Sequence, residues 1–159
     1  MAIDRTHPEN YPPNIQAILK RQAPAAAILG QEILDVDKAQ GFVRVAYNTT
    51  QSLSNRYGAI HGGMTAAMMD DVISLAAGLS IEWGQITPTL EMKVNYIAQG
   101  KPETRLIAEA RTVRRGSTVI FFGSGFERRK RETYCHRLID SHDFTVEKSG
   151  VKFKRRFQQ

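Results

Sequence analysis

Residues 55–71 read NRYGAIHGGMTAAMMDD, and this stretch decides the fold. A His and two Gly stand directly before a run rich in Ala and Met, which carries two adjacent acids. Apolar residues then recur at the spacing of one helix face, at Ala66, Met69, Ile73 and Ala76. The pattern predicts one long helix over residues 62–81.

Period-2 alternation of apolar and polar residues predicts strands on both sides of this helix. The strand candidates before it are residues 26–40 and 41–49, joined by a turn around residues 38–41. Those after it are residues 89–98, 103–116 and 117–127, followed by a less clearly defined strand within residues 133–147. This order predicts an α+β fold, in which an antiparallel sheet wraps around one central helix.

The length of 159 residues predicts a single globular domain. Residues 1–22 are expected to form an N-terminal arm with a short helix, which Pro24 ends. Residues 23–148 are expected to form the folded domain, and residues 149–159 a basic C-terminal tail.

The composition is that of an ordinary globular protein, with 42% hydrophobic and 24% charged residues. Cys135 is the only cysteine, so no intramolecular disulfide can form, which suits a reducing compartment. The first residues lack the apolar core of a secretory signal, and no apolar run approaches the roughly 18 residues that span a bilayer. We therefore expect a soluble cytoplasmic protein that has no membrane partner.

The formal net charge of +6 suggests an anionic partner, although only weakly. Much of the excess lies in three runs, at residues 111–116, 126–132 and 152–157. Nucleic acid, an anionic membrane face or a phosphorylated small ligand would each fit, while a solvated surface is the commonest explanation of such runs. No aromatic-interleaved nucleic-acid motif accompanies them, so we do not expect nucleic acid as a partner.

The sequence His-Gly-Gly before a helix is suited to binding an oxyanion. The first N–H groups of a helix lack intrahelical partners, and the helix dipole places partial positive charge there. Gly62 has no side chain to keep a ligand oxygen away from these groups. His61 and Asn55 could add further hydrogen bonds, although Gly62 and Gly63 could also simply form a tight turn.

Asp70 is the candidate general base or nucleophile, and Asp71 is its rival. Adjacent helix residues point about 100° apart, so only one of them can face a site. Asp70 lies on the edge of the apolar stripe and Asp71 further round, which favours Asp70. Because two helical turns span roughly 10 Å, Asp70 cannot easily serve an oxyanion at Gly62 of its own helix. A symmetric dimer, with Asp70 of one subunit facing the helix start of the other, resolves this difficulty.

These residues resemble the signature of the hotdog-fold acyl-CoA thioesterases of the PaaI/THEM2-like group. That signature is an Asn, a small loop, His-Gly-Gly and then an Asp, and it is matched by Asn55, His61, Gly62, Gly63 and Asp70. Residues 87–100 are similar to the family's central strand, and residues 111–122 to its next hairpin. The resemblance covers roughly residues 23–125, and the chain departs from the family pattern beyond them.

The resemblance implies hydrolysis of an acyl-CoA thioester at a dimer interface, in a hotdog fold. It implies that the Gly62 N–H polarises the thioester carbonyl and that Asp70 acts from the opposite subunit. Asn55 and His61 would assist around the thioester, and Thr89 would orient the water or the carboxylate.

The resemblance also implies where the rest of the substrate lies. Related proteins form tetramers from two dimers, and CoA lies along a surface groove with basic residues near its phosphates. Arg114 and Arg115 are the candidates for that contact. Gly63 and Met64 are candidates for substrate contacts, although Met64 is more typical of a core residue than of an acyl pocket.

No cofactor or metal is expected. The side chains of Cys135, His136, Asp140, His142 and Asp143 could be metal ligands, but their spacing matches no compact zinc pattern. Two other functions stay open beside hydrolysis. One is a non-catalytic acyl-CoA-binding module, and the other is a hotdog-fold enoyl-CoA hydratase or dehydratase.

Overall fold

An antiparallel sheet packs against one long helix in the computed structural model, which describes residues 3, 7–11, 13–82, 84–126 and 145–146. The helices are α1 (Pro13–Lys20), α2 (Pro24–Ile28) and the 19-residue α3 (Gly62–Ser80). The strands are β1 (Gln31–Asp37), β2 (Phe42–Asn48), β3 (Thr89–Glu91), β4 (Arg105–Arg115), β5 (Ile120–Phe126) and β6 (Thr145–Val146). The predicted α+β hotdog architecture is confirmed.

The main sheet has the strand order β1-β2-β4-β5, and all of its pairings are antiparallel. Two irregularities interrupt the register, one between Ile33 and Asp35 in β1 and one between Thr112 and Arg114 in β4. Such bulges increase the local twist, which helps a sheet to follow a helix. The short strands β3 and β6 form a separate antiparallel pair.

The core lies between α3 and the inner face of this sheet. Alternate residues of β2 and β4 point inward, as the period-2 pattern requires. The contributing side chains are buried to 1% exposure or less, and include Val43, Val45, Tyr47, Ala108, Ala110, Phe122, Met68, Val72 and Ala76. Small Ala side chains on α3 and β4 let helix and strand approach closely.

The chain between α1 and β1 differs from the prediction. Pro24 was expected to end a helix and residues 26–40 to form a strand, but Pro24 begins α2 and the strand starts only at Gln31. Proline suits the first position of a helix, and the following alanines are strong helix formers. Gly30 separates the two elements with φ +70°, where a Cβ would lie 2.3 Å from the Asn48 carbonyl oxygen.

The segment at residues 89–98 also differs from the prediction. Only Thr89–Glu91 is paired, with β6, and residues 92–98 form no strand pairing within the described residues. The apolar and polar residues alternate in this segment as in a strand, but the described part of the chain contains no strand that pairs with residues 92–98.

Several predictions fall outside the described residues. These are the possible metal ligands at residues 135–143, most of the last strand candidate and the basic tail. Within the described part of the chain, no helix combines the length and the apolar character needed to cross a membrane.

Candidate active site

His61 organises the start of α3. Its carbonyl oxygen accepts the N–H groups of Met64 and Thr65 over 2.9 and 3.1 Å, and its Nδ1 accepts the N–H of Gly63 over 3.1 Å. Three of the four leading N–H groups are thereby satisfied from one residue. The fourth, at Gly62, donates to no acceptor within the described residues. It is therefore the N–H group left for a ligand.

Asn55 shapes the loop that leads into this helix. Its Oδ1 accepts the N–H groups of Tyr57 and Ala59 over 2.9 and 3.3 Å, and its own N–H donates to the Ala59 carbonyl over 2.8 Å. This Asx-type turn is completed by Gly58 at φ +77°. The carbonyl end of the Asn55 side chain thus holds the loop, which leaves its amide nitrogen as the end that can face a ligand.

Tyr96 contacts the same helix start and was not among the residues predicted for the site. Its hydroxyl donates to the Gly62 carbonyl over 3.0 Å, although 56% of the residue is exposed. A Cβ at Gly62 would lie 3.5 Å from the Tyr96 ring, an ordinary contact distance. The available signal was the alternation of residues 89–98, which marks Tyr96 as a strand residue but does not reveal its partner.

Asp70 and Thr89 form a pair further along α3. The Thr89 hydroxyl donates to Asp70 Oδ1 over 2.8 Å. Asp70 is half-buried and Thr89 is exposed, so the carboxylate is fixed by one donor while it stays accessible. The segment from Thr89 to Tyr96 therefore runs beside α3 in the opposite direction, with Thr89 at Asp70 and Tyr96 at Gly62.

Asp71 faces the sheet. Its Oδ2 lies 2.6 Å from Gln31 Nε2 and 2.7 Å from the Tyr47 hydroxyl oxygen. Burial raises the pKa of Asp71, and the two hydrogen bonds oppose that rise. Burial, with Asp71 beside it, raises the pKa of the Tyr47 hydroxyl, which keeps its proton. The sequence argument had placed Asp71 further from the apolar side of the helix, whereas the fold directs it against β1 and β2.

Gly62 and Asp70 are not brought together within one chain. They are eight residues apart on one helix, which at 1.5 Å per residue is about 12 Å. Gly63 and Met64 lie in the first turn, exposed beside Gly62.

Arg114 and Arg115 lie near the opposite end of α3 from Gly62. They are exposed at the end of β4, just beyond Thr112. The Thr112 hydroxyl is 2.9 Å from that of Ser80, the last residue of α3. Within one chain the two arginines are therefore remote from the helix start. Among the described residues, no group of three His, Cys, Asp or Glu side chains is placed to hold a metal ion.

Comparison with known proteins gives the family. The thioesterase superfamily model matches residues 57–135. Human acyl-coenzyme A thioesterase 13 is 28% identical over 94 residues, which are 59% of this chain and 66% of that protein. The match thus spans just under two thirds of this curated relative.

Solved structures show the same fold. A phenylacetic acid degradation-related protein from Ralstonia eutropha JMP134 has a TM-score of 0.65 and 28% identity, over 70% of this chain and 85% of that one. The E. coli PaaI protein from the phenylacetic acid degradation operon has a TM-score of 0.66 and 20% identity, over 76% of this chain and 83% of its own. This chain therefore belongs to the thioesterase superfamily, as a hotdog-fold protein of the PaaI/THEM2-like group.

Proposed function

We propose that this chain is an acyl-CoA thioesterase, which hydrolyses an acyl-CoA thioester to the free acid and CoA. The observation that carries the proposal is the pair of groups that α3 presents. One is the uncommitted N–H of Gly62, and the other is the Asp70 carboxylate held by Thr89.

The Gly62 N–H supplies electrostatic stabilisation. As the thioester carbonyl is attacked, negative charge grows on its oxygen, and a fixed donor at a helix N-terminus favours that charge. Because Gly62 lacks a side chain, the carbonyl can approach the backbone closely. His61 contributes by holding the neighbouring N–H groups in the helix.

Asp70 supplies the base or nucleophile. It either takes a proton from the attacking water or attacks the carbonyl carbon itself, and Thr89 fixes the direction of the carboxylate. Asp71 suits this role less well, since Oδ2 of its carboxyl is already in contact with Gln31 and Tyr47.

A homodimer completes the site, because Gly62 and Asp70 of one helix are about 12 Å apart. Two antiparallel α3 helices side by side would place Asp70 of each subunit near the partner's helix start. Apolar side chains that are about half exposed flank this side of α3, namely Ile86, Leu90, Tyr96 and Ile97. A second copy would cover them, and could extend the sheet along residues 92–98, which belong to no strand within the described part of the chain. The dimer can pair again into a tetramer.

The same arrangement gives the arginines a role. With Asp70 beside the partner's Gly62, the end of α3 at Ser80 would lie about 15 Å beyond the partner's helix start, so Arg114 and Arg115 would lie on that side of the partner's thioester site. Their charges suit the phosphates of CoA. The names of the relatives favour an acyl-CoA substrate, and those of two structural neighbours direct attention to aromatic acyl groups.

The test is release of free thiol from short-chain, long-chain and aryl acyl-CoAs by the purified protein. Asp70→Asn should lower kcat by orders of magnitude with unchanged thermal stability, while Glu91→Gln, an exposed acid on β3, serves as the matched control. Full turnover by Asp70→Asn would remove Asp70 from the mechanism. Thermal stabilisation by CoA without thiol release would instead indicate binding alone, and hydration of an enoyl-CoA would indicate a hydratase.

A further inference from the structure

A chain of polar contacts crosses the interface between α3 and the sheet. It starts at Gln31 Nε2 in β1, continues 2.6 Å to Asp71 Oδ2 and 2.7 Å to the Tyr47 hydroxyl oxygen, and ends 2.8 Å further at the Met68 carbonyl oxygen. Tyr47 is fully buried, so bulk water does not complete its contacts. A separate two-centre hydrogen bond at each of the three contacts needs its own proton.

Counting those protons distinguishes a protonated from an ionised carboxyl. Gln31 supplies the first proton, from its amide. Tyr47 has one proton and two oxygen neighbours, and the Met68 carbonyl can only accept. If Tyr47 donates to Met68, the proton between Tyr47 and Asp71 must come from Asp71. With an ionised Asp71, the single Tyr47 proton would have to serve both the Met68 carbonyl and the carboxylate, so one of these two contacts would lack a proton of its own.

We propose that Asp71 is a neutral, proton-bearing positioning residue, which links Gln31 to Tyr47 and so fixes the rotation of α3 that directs Asp70 toward Thr89. Met68 and Asp71 lie one turn apart on the same face of α3, and both meet Tyr47. Holding that face against β2 sets the direction of the next residue round the helix, Asp70. This role rests on the proposed thioesterase function of Asp70.

Neutrality of Asp71 also serves Asp70. Two adjacent carboxylates would repel each other if both were ionised. Burial is the largest cause of the raised pKa of Asp71. Hydrogen bonds from Tyr47 on β2 and Gln31 on β1 lower this pKa, and the neighbouring Asp70 raises it. A proton held on Asp71 leaves one negative charge at this point of α3, on the residue that faces Thr89.

The pH dependence of the melting temperature tests whether Asp71 carries a proton in the folded protein. The folded-state pKa of Asp71 lies above its ordinary value of 3.8, so at pH values between the two the folded protein holds a proton that the unfolded chain has lost. This contribution is complete below pH 3.8 and is lost as the pH rises through the folded-state pKa. Asp71→Asn has no such proton, so its melting temperature should rise relative to wild type as the pH increases above 4. A difference that stays constant, that shrinks with rising pH, or that stops growing below about pH 7 would overturn the neutral state.

The kcat values of Asp71 variants test whether Asp71 positions Asp70. The Asn amide can donate to Tyr47 as the protonated carboxyl does, while Gln31 turns its own amide to present the oxygen. Asp71→Asn should therefore keep kcat within about threefold of wild type, whereas Asp71→Leu should lower kcat at least about tenfold with little change in KM. If Asp71→Asn is as inactive as Asp70→Asn, the positioning role is wrong. Tyr47→Phe is the second variant. It removes the hydroxyl that contacts Asp71 and Met68, and it should likewise lower kcat rather than raise KM.

These measurements separate the two proposals. A wild-type protein that is inactive on every acyl-CoA would refute the thioesterase function, but it would not affect the pH series. A crystal structure of Asp71→Leu tests the positioning without substrate. Loss of the hydrogen bond between Thr89 and Asp70 supports the role, and an unchanged hydrogen bond overturns it.

Discussion

The hydroxyl of Thr89 on β3 donates to Asp70 Oδ1 on α3 over 2.8 Å. The two residues are 19 positions apart in the chain, and Thr89 is exposed. One hydrogen bond therefore sets the direction of a carboxylate that still reaches solvent, as a group that must meet a water molecule or a thioester requires.

Thr89→Val removes this donor and keeps the shape of the side chain. A single hydrogen bond to a charged group contributes about 1.5–3 kcal/mol, so kcat should fall roughly 10- to 100-fold. Thr89→Ser keeps the hydroxyl and should retain most of the activity. Steady-state kinetics on the best acyl-CoA compares the three proteins, and equal kcat for the Val and Ser variants would exclude the hydroxyl from the mechanism.

Gly62→Pro removes the proposed oxyanion donor without a change of helix position. Proline is favoured at the first residue of a helix, and His61 at φ −63°, ψ 134° has the conformation that residues before proline adopt. Loss of one oxyanion donor should lower kcat by about 10²–10³. Gly62→Ala keeps the N–H and adds only a Cβ, which meets Tyr96 at an ordinary distance, so it measures the cost of a side chain alone and should stay well above Gly62→Pro in kcat. Similar kinetics for the two variants would contradict the role of the N–H.

Mixing two inactive variants tests whether the site is shared between subunits. A heterodimer of Asp70→Asn and Gly62→Pro has one site with both defects and one site with neither, provided that the two groups come from different chains. After unfolding and refolding together, random pairing should restore about one quarter of wild-type activity. Each variant refolded alone is the control. If the mixture stays inactive while dimers form, both groups act within one chain.

His61→Ala should destabilise the helix start. The ring Nδ1 accepts the Gly63 N–H, and loss of such a cap costs about 1 kcal/mol of unfolding free energy. His61→Asn offers another capping oxygen and should recover most of that loss. Urea unfolding measures both variants. If the Ala and Asn variants are equally stable, His61 contributes through its backbone alone.

The long helix and the sheet followed from the sequence because their signals are local. The spacing of Ala66, Met69 and Ile73 marks the helix, and the alternation over β2, β4 and β5 marks the strands. The helix α2 was missed, because an apolar run of alanines after Pro24 satisfies both helix and strand patterns.

The surroundings of the two acids could not be read from the sequence. Asp71 meets Tyr47 and Gln31, which are 24 and 40 residues away, and only the packing of α3 on the sheet brings them together. The contact between Tyr96 and Gly62 is likewise non-local, over 34 residues. The motif from Asn55 to Asp70 predicts candidate residues for a site, whereas tertiary packing decides which of their groups already form hydrogen bonds within the protein.

The capping by His61 determines which part of a substrate this helix can receive. Helix starts commonly bind phosphate groups, whose several oxygens engage several N–H groups at once. Here His61 has already engaged Gly63, Met64 and Thr65, so a phosphate would find only one donor. A thioester carbonyl has a single oxygen, for which one N–H donor is sufficient. In the proposed function, the helix start would therefore discriminate between the two ends of an acyl-CoA, and would orient the molecule with its thioester inward and its nucleotide away.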